Sequence, residues 1–210
     1  IVAAREGHFL LWPAPEVQDV NNEDVNAKSR FNMLAVQSRL SGTITGPDAF
    51  GAKTSGKIEG DFFAQANENI NLFRLRHAFV RLSWENTDLL FGQYWNPLFV
   101  TQNYPGTVSF NTGSPIQPFA RNPQVRLTHN FGNIKIIAAA LAQRDYTSRG
   151  PSGVTSAYLM NSGMPDMHLQ VHFSASEFLA GAGMAYKSIV PRLNTENGYK
   201  TDESVADLQV

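Results

Sequence analysis

The sequence predicts an all-β fold, an antiparallel up-and-down transmembrane β-barrel, and two observations support that prediction. Apolar and polar residues alternate with a period of two along several segments, as the two faces of a strand require. Tight connections also alternate with long ones along the chain. Segments and connections together predict nine or ten strands, and no stretch shows a helical period of comparable strength.

Composition narrows the functional classes before any motif is considered. The 210 residues carry 17 Lys and Arg against 18 Asp and Glu, so no basic excess attracts nucleic acid. The absence of cysteine excludes disulfides, thiolate metal ligands and a cysteine nucleophile. The most apolar stretch, 134–141, is far shorter than the roughly 18 residues of a membrane-spanning helix. We therefore expect a single β-barrel domain over 1–210.

Ten segments carry the strand pattern, four of them clearly. The clear ones are 32–46, 57–64, 124–131 and 167–173, and the weaker ones are 5–12, 72–84, 88–95, 133–144, 178–187 and 203–210. In 72–84 the apolar parity changes partway along, and a β-bulge near His77 restores one apolar face. The apolar positions predicted to share one surface are Leu34, Val36, Leu40, Ile44, Ile58, Phe62, Val125, Leu127, Leu169, Val171 and Phe173.

The connections fall into two groups that alternate along the chain. Those at 47–56, 85–87, 132 and 174–177 are the shorter ones. Those at 13–29, 96–123, 145–166 and 188–202 are long, whereas 65–71 is short for its position on that side. In an up-and-down meander this alternation puts the long loops at one end. Bacterial outer-membrane barrels have such tight periplasmic turns and long outer loops.

Charged residues in the middle of predicted strands distinguish a membrane barrel from a soluble one. In a soluble sandwich the apolar face meets a second sheet and the polar face meets water. In a membrane barrel the apolar face meets lipid and the polar face lines a wet interior. Charged side chains in the middle of strands are compatible with a barrel that has a wide, water-filled interior. The predicted pore-lining residues are Arg39, Lys57, Glu59, Asp61, Arg74, Arg76 and Arg126.

Aromatic residues mark several predicted strand ends. They are Trp12, Trp84, Tyr94, Trp95 and Tyr186. Amphipathic rings suit the headgroup region of a bilayer, so we expect these five to form girdles at the membrane interfaces.

Three consecutive runs of sequence resemble a known family. They are GKIEGDFF at 56–63, LFRLRHAFVRL at 72–82 and LLFGQYW at 89–95. Together with the pattern of strands and connections over most of 1–200, these runs resemble the first half of outer-membrane porins from Bacteroidetes. Those porins are similar in layout to the DcaP-like and general trimeric porins of other Gram-negative bacteria. The resemblance implies a channel in the bacterial outer membrane for passive diffusion of small hydrophilic solutes or ions.

The same resemblance implies a larger architecture. Such porins have 16 or more strands, an inward-folding loop that narrows the channel, and a homotrimeric assembly in outer-membrane lipid. Nine or ten strands would leave open edges in lipid, so the sequence is expected to be the N-terminal half of a longer barrel; a closed ten-strand barrel is the alternative. The segment 96–122 takes the place of the constriction loop, with candidate residues Tyr104, Pro105, Phe110 and Arg121.

The pore charges allow two outcomes. The four candidate arginines could form a basic wall opposite a loop without a carboxylate, which favours anions or neutral solutes. Alternatively, they pair with Glu59 and Asp61 and leave little net field.

No catalytic residue, metal site or cofactor is predicted. His168 and His172 share a strand face, but roughly 13 Å of extended chain separates them, too far for one ion. The enzymatic alternative is an omptin-like outer-membrane barrel protease, in which Glu59 and Asp61 oppose Asp166 and His168 to activate water. A soluble β-barrel that binds a small ligand is the alternative of another class.

Overall fold

The computed structural model describes residues 15–210, except 30, 32, 34, 37, 64–70, 104–118, 145 and 146. In chain order its elements are β1 (Arg39–Thr45), β2 (Lys53–Asp61), β3 (Arg74–Ser83), β4 (Thr87–Trp95), β5 (Arg121–Phe131), β6 (Ile134–Leu141), β7 (Ser148–Gly150), β8 (Gly153–Thr155), α1 (Ala157–Ser162), β9 (Asp166–Ala175), β10 (Phe178–Ile189) and β11 (Val205–Gln209).

Nine strands form one antiparallel sheet in which sequence neighbours are also spatial neighbours. The order is β1-β2-β3-β4-β5-β6-β9-β10-β11, and β7 pairs only with β8 in a small hairpin. This meander confirms the up-and-down prediction. No helix in the described part of the chain is long and apolar enough to span a membrane.

The chain divides into two compact units. Of the described residues, the first contains those within 15–41, 59–63 and 71–75, and the second contains those within 42–58, 76–103 and 119–210.

The alternation of connections is confirmed. Tight connections occupy 46–52, 84–86, 132–133 and 176–177, and long ones occupy 62–73, 96–120, 142–165 and 190–204. The connection 62–73 is longer than predicted, because β2 ends earlier and β3 begins later than the sequence pattern indicates. Gly132 and Ser176 adopt positive φ values of 57° and 52° in the two-residue turns, as turns matching the strand twist require.

The sheet has a polar face that is buried and an apolar face that is exposed. In β9, His168 and Gln170 are buried whereas Leu169 between them is 45% exposed. In β5, Gln124 is buried and Val125 is 46% exposed. A water-soluble domain buries its apolar side chains instead. The cross-strand register aligns both faces, because Leu127 lies opposite Leu89 and Ala138, and Ala138 lies opposite Leu169.

The change of face predicted near His77 is present in β3. Arg76 and His77 are consecutive and both buried. Within β3 the exposed apolar residues are therefore odd-numbered up to Leu75 and even-numbered from Val80 onwards. Gly92 of β4 lies beside this point with a φ of 125°, and a Cβ atom there would sit 2.2 Å from the carbonyl oxygen of Ala78. The glycine therefore permits the close approach of β3 at the switch.

Several predicted details are corrected by the structure. In the predicted strand 32–46, β1 covers Arg39–Thr45, and Val36 is 6% exposed rather than on the exposed apolar face. The hairpin β7–β8 and α1 lie within the long connection predicted at 145–166. The predicted strand 5–12, Trp12 and Leu34 lie outside the described residues.

Candidate functional site

Four of the predicted pore-lining residues come together in the first unit. Arg74 Nε lies 2.8 Å from Asp61 Oδ1, and Arg39 Nη2 lies 3.6 Å from Asp61 Oδ2. Arg39 Nε is also 3.8 Å from Glu59 Oε1. We call Arg39, Glu59, Asp61 and Arg74 the acid-paired cluster.

Burial makes these ion pairs structurally important. The Asp61 side chain is 1% exposed, and an ionised carboxylate in such a place needs a cation and hydrogen bonds. Arg74 supplies the close charge, and the backbone N–H of Phe63 donates to Asp61 Oδ1 at 3.3 Å. Arg74 also stacks on the Phe63 ring, with Cζ 5.1 Å from the centroid. Arg39 and Arg74 are thus paired with carboxylates, which is the second of the two arrangements that the sequence allowed for the arginines.

A second group of arginines lies in the second unit and contacts aromatic rings. Arg121 Cζ is 4.1 Å from the Trp95 ring centroid, and Arg76 Cζ is 5.5 Å from the same ring. Gln93 Nε2 donates to the Arg76 carbonyl at 3.1 Å. These cation–π contacts stabilise guanidinium groups through the negative face of the ring.

Arg126 and Arg81 extend this group through Tyr94. Arg126 Cζ lies 5.0 Å from the Tyr94 ring, and Arg126 Nη2 donates to the Trp95 carbonyl at 2.6 Å. Arg126 Nε donates to Gln124 Oε1 at 2.9 Å. Arg81 stacks on Phe79 at 5.4 Å, and Phe79 meets Tyr94 edge-on at 5.2 Å. The arginine–aromatic cluster consists of Arg76, Phe79, Arg81, Tyr94, Trp95, Arg121 and Arg126.

Arg81 and Arg126 differ from the acid-paired arginines in their electrostatics. Within the described chain, neither contacts a carboxylate; Arg126 is held by oxygen acceptors and a ring, and Arg81 by a ring. The register places Leu90 opposite both Arg81 and Arg126, so the two side chains lie on the same face of the sheet. Their backbones are two strands apart, which is roughly 10 Å. Among the described residues, these two guanidinium groups therefore have no carboxylate to balance their charge.

Other predicted site residues require correction or lie outside the structure. Arg121 is the first residue of β5 and is 4% exposed, so it belongs to the sheet and not to the connection. Tyr94 and Trp95, predicted to lie at the lipid interface, contact the guanidinium groups of Arg126 and Arg121. Lys57 is half-buried in β2. Tyr104, Pro105 and Phe110 lie outside the described residues.

The first part of the connection 96–120 lies beside the polar face of distant strands. Asn96 Oδ1 accepts from the Leu98 N–H at 2.9 Å, and a 3₁₀ turn follows at Thr101–Asn103. Leu98, Val100 and Asn103 line a cavity of about 230 Å³ together with residues of β9 and β10. This segment leaves β4 and therefore reaches strands three and four places away in the sheet order.

The two residue pairs considered for peptide hydrolysis have different contacts in the structure. His168 Nε2 lies 3.1 Å from Asp166 Oδ1, so this pair exists. Asp61 of the other pair is bound by two arginines. Among the described residues, no group of three or more His, Asp or Glu side chains could hold a metal ion.

The predicted pore-lining set leaves out Arg81 and the polar ridge of β9. Arg81 follows the change of face in β3, so its parity is opposite to that of Arg74 and Arg76. The ridge consists of Asp166, His168, Gln170 and His172, all buried. Its alternation was visible in the sequence, but His168 and His172 were considered only as metal ligands, and Asp166 and His168 only as part of a protease site.

Comparison with known proteins supports the fold. The chain is similar to the crystal structure of the outer membrane channel DcaP of Acinetobacter baumannii, with a TM-score of 0.63, 21% identity and 90% of this chain covered. It spans about 50% of the length of that channel. No family model and no curated protein matches the sequence. The nine-stranded antiparallel sheet of this chain is thus similar in fold to part of a β-barrel.

Proposed function

We propose that this protein is an outer-membrane channel through which small hydrophilic solutes diffuse passively. The observation that carries the proposal is the inverted burial of the sheet: charged and polar side chains are buried on one face, and large apolar side chains are exposed on the other. Lipid would cover the apolar face, and water would fill the space beside the polar face. The likeness of the fold to an outer membrane channel supports the same proposal.

The channel would prefer anions. Arg39 and Arg74 are neutralised by carboxylates and contribute little net field, whereas Arg81 and Arg126 carry charge without a carboxylate partner among the described residues. Uncompensated charge of one sign in a pore raises the local concentration of its counter-ion. The basic wall would therefore be formed by Arg81 and Arg126.

The segment 96–120 would act as the constriction loop. Its described part lies beside β9 and β10 on the polar face, which supports an inward course. The homotrimer, the Bacteroidetes source and the absence of catalytic residues and cofactors are proposals that rest on the sequence resemblance.

Ion conductance in a planar lipid bilayer tests the proposed function. Reconstituted protein should give stable, stepwise current that grows in proportion to salt concentration. A reversal potential measured across a salt gradient should show anion preference. A folded, membrane-extracted sample that gives no current would contradict the channel, and clear cation preference would contradict the role of the arginines.

A further inference from the structure

A groove opens on the apolar face of the sheet, near the end that carries the long connections. Its volume is about 730 Å³, and Phe91, Val125 and Ala140 form one wall. These three residues lie in one row across β4, β5 and β6, because Val125 is opposite both Phe91 and Ala140. Phe91 and Val125 are 43% and 46% exposed, whereas Leu141, which also lines the groove, is buried. The groove therefore opens on the side of the sheet that the proposed function assigns to lipid.

The short helix α1 and the residues after it form the opposite wall. Leu159, Met160 and Met164 line the groove there, and the two methionines are 75% and 45% exposed. Methionine side chains are flexible and polarisable, so they adapt to apolar groups of irregular shape. Exposed apolar side chains on both walls favour an occupant with hydrocarbon chains, because contact removes both surfaces from water.

Hydrogen bonds hold α1 in this position. The backbone N–H of Val190, just after β10, donates to the Tyr158 carbonyl at 2.9 Å. The Tyr158 hydroxyl accepts from the Ser152 N–H at 2.8 Å and donates to the Gly153 carbonyl at 3.1 Å. These bonds fix the helix to β10 on one side and to the β7–β8 hairpin on the other. The wall is therefore formed in advance, which reduces the entropy cost of binding.

The connection that carries α1 is basic beside the groove. Gln143 lines the groove, and Arg144 follows it and is exposed. Arg149 of β7 is exposed as well. The described residues of 142–165 include these two arginines and no carboxylate. Guanidinium groups bind phosphate through paired N–H donors. An apolar groove next to two arginines thus matches a lipid whose acyl chains adjoin phosphate groups.

We propose that this groove binds the lipid A part of lipopolysaccharide. The inference rests on the proposed membrane location and names one lipid that contacts the apolar face. Long loops of outer-membrane barrels lie on the outer side, and Ala140 is the last residue but one of β6 before such a loop. The groove therefore lies at the level of the outer leaflet, where lipid A carries several acyl chains and phosphates on one disaccharide. Acyl chains would occupy the groove, and a phosphate would bind Arg144 and Arg149.

Native mass spectrometry of the detergent-solubilised protein, titrated with bisphosphoryl lipid A, tests the site. The expected result is a saturable adduct with one lipid A per chain. Ala140→Trp fills the groove and should weaken the apparent affinity about tenfold or more, because acyl carbons lose their contacts. Ala138→Trp is the matched control and should bind like the parent protein. Ala138 lies on the same strand and face, opposite Leu127 and Leu169, and does not line the groove.

A second groove variant does not alter the sheet. Met160→Glu changes a helix residue that is 75% exposed. It should also weaken binding, because its carboxylate would lie among acyl chains and repel phosphate. A change in gel mobility on heating verifies that each variant is folded, and Met160→Glu decides the outcome if Ala140→Trp does not fold.

The double variant Arg144→Gln/Arg149→Gln tests the contact with phosphate. It should weaken binding of bisphosphoryl lipid A about tenfold or more, because charge-assisted hydrogen bonds are lost. The parent protein should prefer this lipid to phosphatidylglycerol, which carries a single phosphate, and the double variant should lose that preference. Arg192→Gln in the next long connection is the control, since Arg192 Nη1 lies 3.8 Å from Glu196 Oε1.

Several results would overturn the proposal. The absence of saturable binding would do so, as would equal affinity of the parent for phosphatidylglycerol, which would indicate a general phospholipid surface. Parent-like binding by Ala140→Trp or by the double arginine variant would place the lipid elsewhere. Oligomers that disappear in Ala140→Trp without added lipid would show that a second copy covers the groove. A protein that conducts ions but does not bind lipid A would contradict this inference alone, and one that binds lipid A without conducting would contradict only the channel.

Discussion

Two groups of arginines in this protein are stabilised in different ways. In the acid-paired cluster, Arg39 and Arg74 face the carboxylates of Glu59 and Asp61. In the arginine–aromatic cluster, Arg126 and Arg81 rest on ring faces, and Arg126 also donates to a backbone carbonyl. The first arrangement cancels charge, whereas the second leaves it available. The neighbours of an arginine therefore determine whether it contributes to the structure or to the field in a pore.

The largest expected effect follows from breaking the acid-paired cluster. Arg74→Gln removes a guanidinium group that lies 2.8 Å from Asp61 Oδ1, and the Asp61 side chain is 1% exposed. Leaving a buried carboxylate without its main partner should lower the free energy of unfolding by about 3–5 kcal/mol. Urea titration of the protein in lipid vesicles measures this change.

An exposed ion pair provides the control for Arg74→Gln. Lys53 Nζ lies 2.7 Å from Asp48 Oδ2, but the two side chains are 81% and 56% exposed. Asp48→Asn should therefore change the free energy of unfolding by less than about 1 kcal/mol. Equal losses in the two variants would show that burial does not set the importance of the pairing.

The next effect concerns the two faces of β5. Leu127→Lys places a charge on the apolar face and should destabilise the protein by about 2–4 kcal/mol near the bilayer midplane. Thr128→Lys places the same charge on the polar face, opposite Asp88, and should be tolerated. Urea titration compares the two, and equal destabilisation would contradict the assignment of the faces.

The same substitution in the arginine–aromatic cluster should affect selectivity more than stability. Arg126→Gln leaves no carboxylate unpaired, so its loss of stability should be about 1–2 kcal/mol, smaller than that of Arg74→Gln. Removing one charge from the pore should lower the anion-to-cation permeability ratio about two- to fivefold. Reversal potentials in a salt gradient measure the ratio, and an unchanged value would exclude Arg126 from the selectivity of the pore.

The smallest expected effect distinguishes the contribution of the Tyr94 ring from that of its hydroxyl group. Tyr94→Phe keeps the face on which Arg126 stacks, so stability should stay within about 0.5 kcal/mol of the parent. Tyr94→Leu removes that face and should cost about 1 kcal/mol more than Tyr94→Phe. If the two variants unfold at the same urea concentration, the cation–π contact is not what holds Arg126.

Alternating polarity predicted much of the sheet from the sequence. The strands β2, β5, β9 and β10, the alternation of connections and the change of face near His77 all follow from local patterns that a half-buried strand imposes. The pairing of Arg74 with Asp61 was one of two outcomes that the sequence allowed. Choosing between them required the cross-strand contact, which spacing along the chain does not give.

Other features depend on tertiary contacts that leave no periodic signal. Tyr94 and Trp95 stand at a strand end, which suits a membrane girdle as well as an arginine platform. The face of Arg81 could be assigned only once the change of face in β3 was located. The cavity beside β9 and β10 forms because residues 98–103 lie next to strands more than sixty residues later in the chain. Neither segment has a sequence pattern that predicts this contact.

Cysteine accessibility tests most directly whether the polar face lines water while the apolar face meets lipid. The chain contains no cysteine, so a single introduced thiol reports without background. Thr128→Cys and Lys135→Cys on the polar face should react with a charged, membrane-impermeant thiosulfonate in native membranes. Leu127→Cys and Leu169→Cys on the apolar face should stay protected until the membrane is dissolved. Reaction at the two leucine positions with protection at the other two would contradict the channel.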